Sequence, residues 1–400
     1  MKKIYSLMFA MGAVCAASLT SCSGDSLDAE YVAVKESRSG NWSFYSPDGD
    51  VICKDEFKHK PSPVINGYFY VPEGNSGLYT LYKIGEKPEA VKDCDGLLDV
   101  GYMNEGLVPI VKKDARISFV DKNGKVKFTL DPIGGKEIQE AQSFVSEGMI
   151  AVRNEDYKWG FVNAKGEKVV DLKYGVVGPF TDGMAIVVEA GKDFKPGSIS
   201  VIDKTGEKVF KLKDGYDVMC GWFREGYLRC TDANGHYVLV DKKGEPAYKF
   251  KDGVRVEDYN KKYAIIHNSD GHGVMTLDGE TVIKPGKFTN FQFVGEDKFL
   301  AFKGRSTVLL DAEGEEVKDF DGRVRYNKTF GYYNIGSTTT TFIDEDGKDK
   351  KDASFFNIGG FEIQSLSVRS AYKANAGSVL IEEAPVVEEV VDSITEVVEY

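Results

Sequence analysis

The sequence predicts an all-β fold made of tandem repeats, closed into a β-propeller-like ring of about eight or nine blades. Three observations carry this expectation. Aromatic residues form 12% of the 400-residue chain, with 24 Phe and 21 Tyr, as suits pleated and half-buried strands. Glycine is abundant at 43 and proline scarce at 12, which fits many tight turns rather than a disordered chain. A glycine-centred turn recurs at positions 49, 85, 124, 166, 206, 244, 279, 314 and 347, at intervals of 33 to 42 residues.

The clearest copy of the unit is KWGFVNAKGEKVV, Lys158 to Val170. Three residues before the turn glycine stand Asp121, Asn163, Asp203, Asp241, Asp311 and Asp344 in their respective units. Asp or Asn opening a type I turn with Gly at its fourth position marks a hairpin, the glycine taking a left-handed conformation. Seven residues before the glycine runs a column that includes Trp42, Ile117, Trp159, Ile199, Tyr237 and His272. The next column is small in several units (Ser43, Ser118, Gly160, Ser200, Gly273), and the two after it are apolar. An apolar run just before a turn reads as a strand buried on both faces.

A second strand precedes this one, as at Leu107–Val111 and Met149–Val152, and a third follows, as at Glu167–Leu172. An aromatic-to-glycine segment recurs between these groups: Phe144 to Gly148, Phe180 to Gly183, Phe223 to Gly226. It is expected to link one unit to the next. Each unit thus holds three strands with room for a fourth, and one unit alone cannot cover its own faces. A closed ring of blades buries them and removes exposed edges. An open curled β array is the alternative.

The segment Phe144 to Gly183, with Lys158-Trp159-Gly160-Phe161 inside it, resembles the WG-repeat family. The resemblance spans roughly residues 31–365 and departs from the pattern in keeping one literal Trp-Gly pair. It implies an exported or surface protein and brings no catalytic residues.

The chain opens with MKKIYSLMFAMGAVCAASLTSC: two lysines, an apolar stretch, then Leu19-Thr20-Ser21-Cys22. This is the build of an export signal and resembles a bacterial lipobox, which makes Cys22 the lipidated first residue of the mature chain. Residues 1–21 read as signal peptide, 22–30 as tether, 31–366 as the repeat domain and 367–400 as a helix followed by an acidic tail. Lipidation implies a membrane anchor and a cell-envelope address at the outer membrane, on either of its faces. Formal net charge is −12, and seven acids without a base fall within Glu382 to Tyr400. No basic footprint exists for nucleic acid.

Chemistry-bearing candidates are few. Cys53, Cys94, Cys220 and Cys230 contain no CxxC pair, which excludes the common zinc and thioredoxin-like patterns and leaves disulfide pairing open; Cys220 and Cys230 sit at a spacing that a hairpin could bring together. Of His59, His236, His267 and His272, the last two bracket Asn268-Ser269-Asp270-Gly271 with no evident third ligand, so packing is expected and no metal. Asp344 to Asp349 reads as a turn rather than a calcium loop, because equivalent turns carry lysine. Trp222, outside the Trp column, could stack on a sugar or anchor a partner, but core packing is the favoured reading. No catalytic motif appears and no cofactor is expected. The expectation is a lipid-anchored envelope scaffold that binds a protein or glycan and is not an enzyme; the alternative is a carbohydrate-active enzyme on the same ring.

Overall fold

A computed structural model describes residues 27–190, 197–219, 221–363 and 365–371. Strands and turns account for its regular structure, and no helix occurs among the described residues. Blade 4 shows the unit in full: Ile138–Gln142, Met149–Asn154, Trp159–Asn163 and Lys168–Val177, paired antiparallel in sequence order. The same order repeats from Asp99 to Thr129 in blade 3 and, after blade 5, through the four-stranded blades 6 to 9 ending at Phe355. Lys168–Val177 closes blade 4 and opens blade 5, joining the two into one eight-stranded sheet. Blade 2 is reduced to three strands, and its marker Gly85 alone among the nine lacks a positive φ.

Burial sorts the four strands. The third is nearly all buried, as in Trp42–Tyr45 and Ile117–Asp121. The fourth is largely exposed, as in Lys208–Lys211 and Pro246–Lys249, and forms the outer edge. The aromatic-to-glycine segment expected between units instead lies inside the blade, joining its first strand to its second. There the chain makes two-residue turns with positive φ at both positions: Glu105-Gly106, Glu147-Gly148, Asp182-Gly183 and Glu225-Gly226. That is type I′ geometry, whose twist matches paired strands. The misplacement arose because a glycine-centred turn signals a reversal without saying which two strands it joins.

Nine apolar clusters hold the blades together, one at each neighbouring pair. Examples are Leu107 and Phe119 with Ile138 and Ile150 between blades 3 and 4, and Phe161 with Phe180 between blades 4 and 5. The series closes, because blade 1 meets blade 9 where Tyr45 stacks on Phe342 with centroids 4.3 Å apart. Main-chain pairing closes it too. Asn357–Ile358, reached directly from the last strand of blade 9, pairs with Val32–Lys35 and supplies the first strand of blade 1. The fold is therefore a nine-bladed ring, and the open array is not what forms.

The turn chemistry is as expected, with one addition. Asp121, Asn163, Asp203, Asp241 and Asp311 each accept hydrogen bonds from the amides two and four residues on. The turn glycine also packs on the outer strand of the preceding blade. A Cβ at Gly166 would lie 2.6 Å from Phe128, and one at Gly244 would lie 2.6 Å from Phe210. Gly160 serves differently: a Cβ there would meet the Val170 carbonyl at 2.5 Å, so the small residue admits the adjacent strand at a bulge, as Gly273 does beside Ile283. Acids of the inner turns tie successive blades. Gly148 N donates to Glu105 at 2.7 Å and Gly183 N to Glu147 at 2.9 Å. Lys204 and Lys242, which follow the turn aspartates, pair with Glu147 and Asp182 of the preceding blade at 3.2 and 3.4 Å.

Gly166→Ala is expected to destabilise by on the order of 2–4 kcal/mol, combining left-handed strain with the clash on Phe128. Gly148→Ala, at φ 76° with open space around it, is expected to cost only about 1 kcal/mol. Urea unfolding of both variants measures the difference.

Candidate functional site

Strand direction gives the ring two distinct faces. The inner turns and the Asp-x-x-Gly turns lie on one, and the hairpins between second and third strands lie on the other, with the connections between blades. On the inner-turn side the axis is filled by an apolar hub. Leu27, Tyr102, Phe144 and Trp222 stand in one column, three residues before the acids Glu30, Glu105, Glu147 and Glu225, and converge there with Phe330 and Ile363. Leu27 and Ala29, expected in the tether, are buried in this hub, and Asp28 pairs with Lys328. Trp222 is 2% exposed, so it offers no stacking surface, and its Nε1 finds no hydrogen-bond partner among the described residues. Burial and the nearby Asp28 push the Glu362 carboxyl up to about 7.

From the hub the chain crosses to blade 4. Ser143 Oγ donates to the Ser365 carbonyl at 2.6 Å, and Ser367–Arg369 pairs with Glu140–Gln142 as an added inner strand. Helix-like composition from Ser367 onward gives way here to a strand, because Val368 finds a fully buried seat between blades 3 and 4. Around this strand lies a polar group. Arg153 donates to Glu140 Oε2 from Nε at 2.9 Å, and its Nη2 lies 2.7 Å from the same oxygen. Arg369 N donates to Asp99 Oδ2 at 2.8 Å. Burial raises the Asp99 carboxyl, partly offset by that bond and the Val100 amide. The Tyr70 and Tyr102 hydroxyls meet at 3.1 Å, and burial holds the Tyr70 phenol well above its ordinary value. Trp159 is half-buried, with the Arg153 guanidinium 5.8 Å from its ring.

On blade 7 the equivalent cross-strand pair is two histidines. His267 and His272 stack at 4.4 Å, and Glu257 Oε2 lies 3.2 Å from His272 Nε2. The sequence missed Glu257 because ten residues and a strand reversal separate it from His267. His236 differs: its Nδ1 lies 3.1 Å from Asp232, which Lys249 also engages at 2.7 Å. Lys249 first, then His236, holds the Asp232 carboxyl well below the usual range. Cys53, Cys94 and Cys230 are buried, with Cys53 Sγ donating to the Gly85 carbonyl at 2.8 Å. Cys230 sits opposite Val218 and Val238 in its sheet. Asp344 accepts the Lys348 amide, as a turn residue does. Cys22, Cys220 and the acidic tail lie outside the described residues.

Residues 159–192 match the family model described as WG containing repeat. The chain carries a WG-containing repeat. The matched segment begins at Trp159 in the third strand of blade 4 and runs through the first two strands of blade 5, so the WG-containing repeat is offset from the blade. No curated protein matches the chain. Among solved structures, the computationally designed Ika8 protein is 12% identical, covering 84% of this chain and 98% of that one at a TM-score of 0.38. BamB from Moraxella catarrhalis is 13% identical over 72% of this chain and 92% of its own, with a TM-score of 0.37. AztD from Citrobacter koseri is 11% identical over 86% and 98%, with a TM-score of 0.34. The ring rests on its own strand pairing.

Two outcomes follow for the hub. Trp222→Ala is expected to destabilise by about 3–5 kcal/mol, whereas Trp222→Phe, which removes the unpartnered N–H, is expected to lie within about 1 kcal/mol of the parent; thermal unfolding distinguishes them. Because folding holds the Glu362 carboxyl above its unfolded value, the native state binds the extra proton between about pH 4.5 and pH 7, and stability falls as pH rises through that window. Glu362→Gln is expected to flatten the fall, by on the order of 1–3 kcal/mol at pH 8, in unfolding curves collected from pH 5 to pH 8.

Proposed function

We propose that this chain is a lipid-anchored scaffold of the cell envelope that binds a protein or glycan through the outward face of its ring. The observation that carries the reading is the placement of Leu27–Glu30 at the inner-turn face, five residues beyond Cys22. Five extended residues span at most about 18 Å. An acylated Cys22 therefore holds the inner-turn face toward the bilayer and presents the opposite face to the surroundings. The apolar hub fills the axis where a channel enzyme on such a ring would place convergent polar groups, which favours the scaffold over the carbohydrate-active enzyme. Nine blades tied by apolar clusters give the rigid, extended surface that repeat proteins use for recognition.

The anchor is tested by labelled palmitate: incorporation is expected in the parent chain and lost in Cys22→Ala. Labelling that persists in the variant removes the anchor from this reading. Crosslinking in intact envelopes tests the binding role, with partners expected to be captured from the hairpins between second and third strands and not from the inner turns.

A further inference from the structure

Blade 7 departs from its neighbours in a chemically specific way. In blades 1 and 4 the pair at the start of the third strand is a cation beside an indole: Lys35 Nζ lies 6.0 Å from the Trp42 ring centre, and the Arg153 guanidinium lies near Trp159. At this position blade 7 carries His267 and His272, with Glu257 on the adjoining first strand. The donor atoms of all three lie within 4.8 Å of one another.

We propose that Glu257, His267 and His272 form a site for one divalent transition-metal ion, with zinc the best fit. Two imidazoles and one carboxylate are the donor set of borderline ions rather than of calcium or magnesium. In a tetrahedral zinc site with bonds of about 2.0–2.1 Å, neighbouring donors lie about 3.4 Å apart. Glu257 Oε2 and His272 Nε2, at 3.2 Å, already stand at that spacing. Rotation of the His267 side chain brings the third donor in, and its ring makes no hydrogen bond to another described residue that would resist this.

The surroundings support the placement. Glu257 sits at a β-bulge, where the register between the first two strands shifts between Val256 and Asp258. Bulges re-aim side chains, and the Arg229 guanidinium fixes this one by donating to the Glu257 carbonyl. His267 and His272 are held opposite each other by main-chain pairing across a tight hairpin. No lysine or arginine pairs with the Glu257 carboxylate among the described residues, in contrast to Asp232 beside His236, where Lys249 supplies the positive charge. The side chains of His272 and Glu257 are 21% and 26% exposed, so the fourth position of the ion faces solvent, open to water or to a donor from a docked partner.

Calorimetric titration of the purified full-length chain, stripped with chelator, with zinc chloride tests the site. One equivalent is expected to bind with micromolar or tighter affinity, weakened at least about tenfold in His267→Ala and in the shape-conserving Glu257→Gln. Cobalt substitution is expected to give the visible absorption of a tetrahedral ion, absent in both variants. His236→Ala is expected to bind as the parent does. No stoichiometric binding at about 100 μM zinc, or binding that survives Glu257→Gln in a chain whose melting is unchanged, overturns the proposal; so does equal loss in His236→Ala.

Discussion

The pairing of Asn357–Ile358 with Val32–Lys35 holds a chain of nine similar blades in one closed object. Each blade buries apolar side chains against two neighbours, and a linear stack would leave its first and last blades with an uncovered sheet face and an unpaired edge. Two residues of main-chain pairing, backed by Tyr45 stacked on Phe342 and packed near Phe330 and Phe355, remove both liabilities at once. Everything else in the molecule presupposes that closure. The hub exists because closure gives the blades a common axis, and the two faces exist because closure points all strands of one kind the same way.

Repetition explains why small sequence features recur as contacts rather than as chemistry. The turn glycine is a conformational requirement and a packing requirement together, since it lies on an outer-strand side chain of the preceding blade. The lysine after the turn aspartate reaches the inner-turn acid of the blade before it, and that acid accepts an amide of the blade after. An acid in left-handed backbone is strained, and Glu105 and Glu147 are held there by the bond they make to the next unit. Where a blade breaks the pattern, something else happens. Blade 4 takes a fifth strand from Ser367–Arg369, and blade 7 replaces indole and cation with two imidazoles.

Individual residues show how far the sequence could be read. Trp159 and Gly160 announced the unit, and their columns placed the buried third strand correctly because apolar runs before a turn depend on local pattern alone. The segment from Phe144 to Gly148 was recognised as a repeat yet assigned between blades. Trp222 reads as a core residue in preference to a stacking platform and is buried, but its column partners Leu27, Tyr102 and Phe144 come from segments far apart in the chain and could not be named in advance. Glu257 carried no signal: a single acid among many becomes a partner of His272 only when three strands lie side by side.

By itself the sequence determined that the repeat domain is all-β, that it repeats about every 37 residues, and where the Asp-x-x-Gly hairpins turn. Those properties follow from side-chain alternation and turn chemistry, which act over a few residues. Tertiary structure alone decided that the array closes, that nine blades complete it, and that Leu27 and Ala29 meet Ile363 in an apolar hub where burial, with Asp28 nearby, raises Glu362. It also decided which acid meets which histidine. Closure and the hub depend on contacts between residues hundreds of positions apart, whose cost in chain entropy only the assembled ring repays, and the acid–histidine pair depends on how three neighbouring strands register.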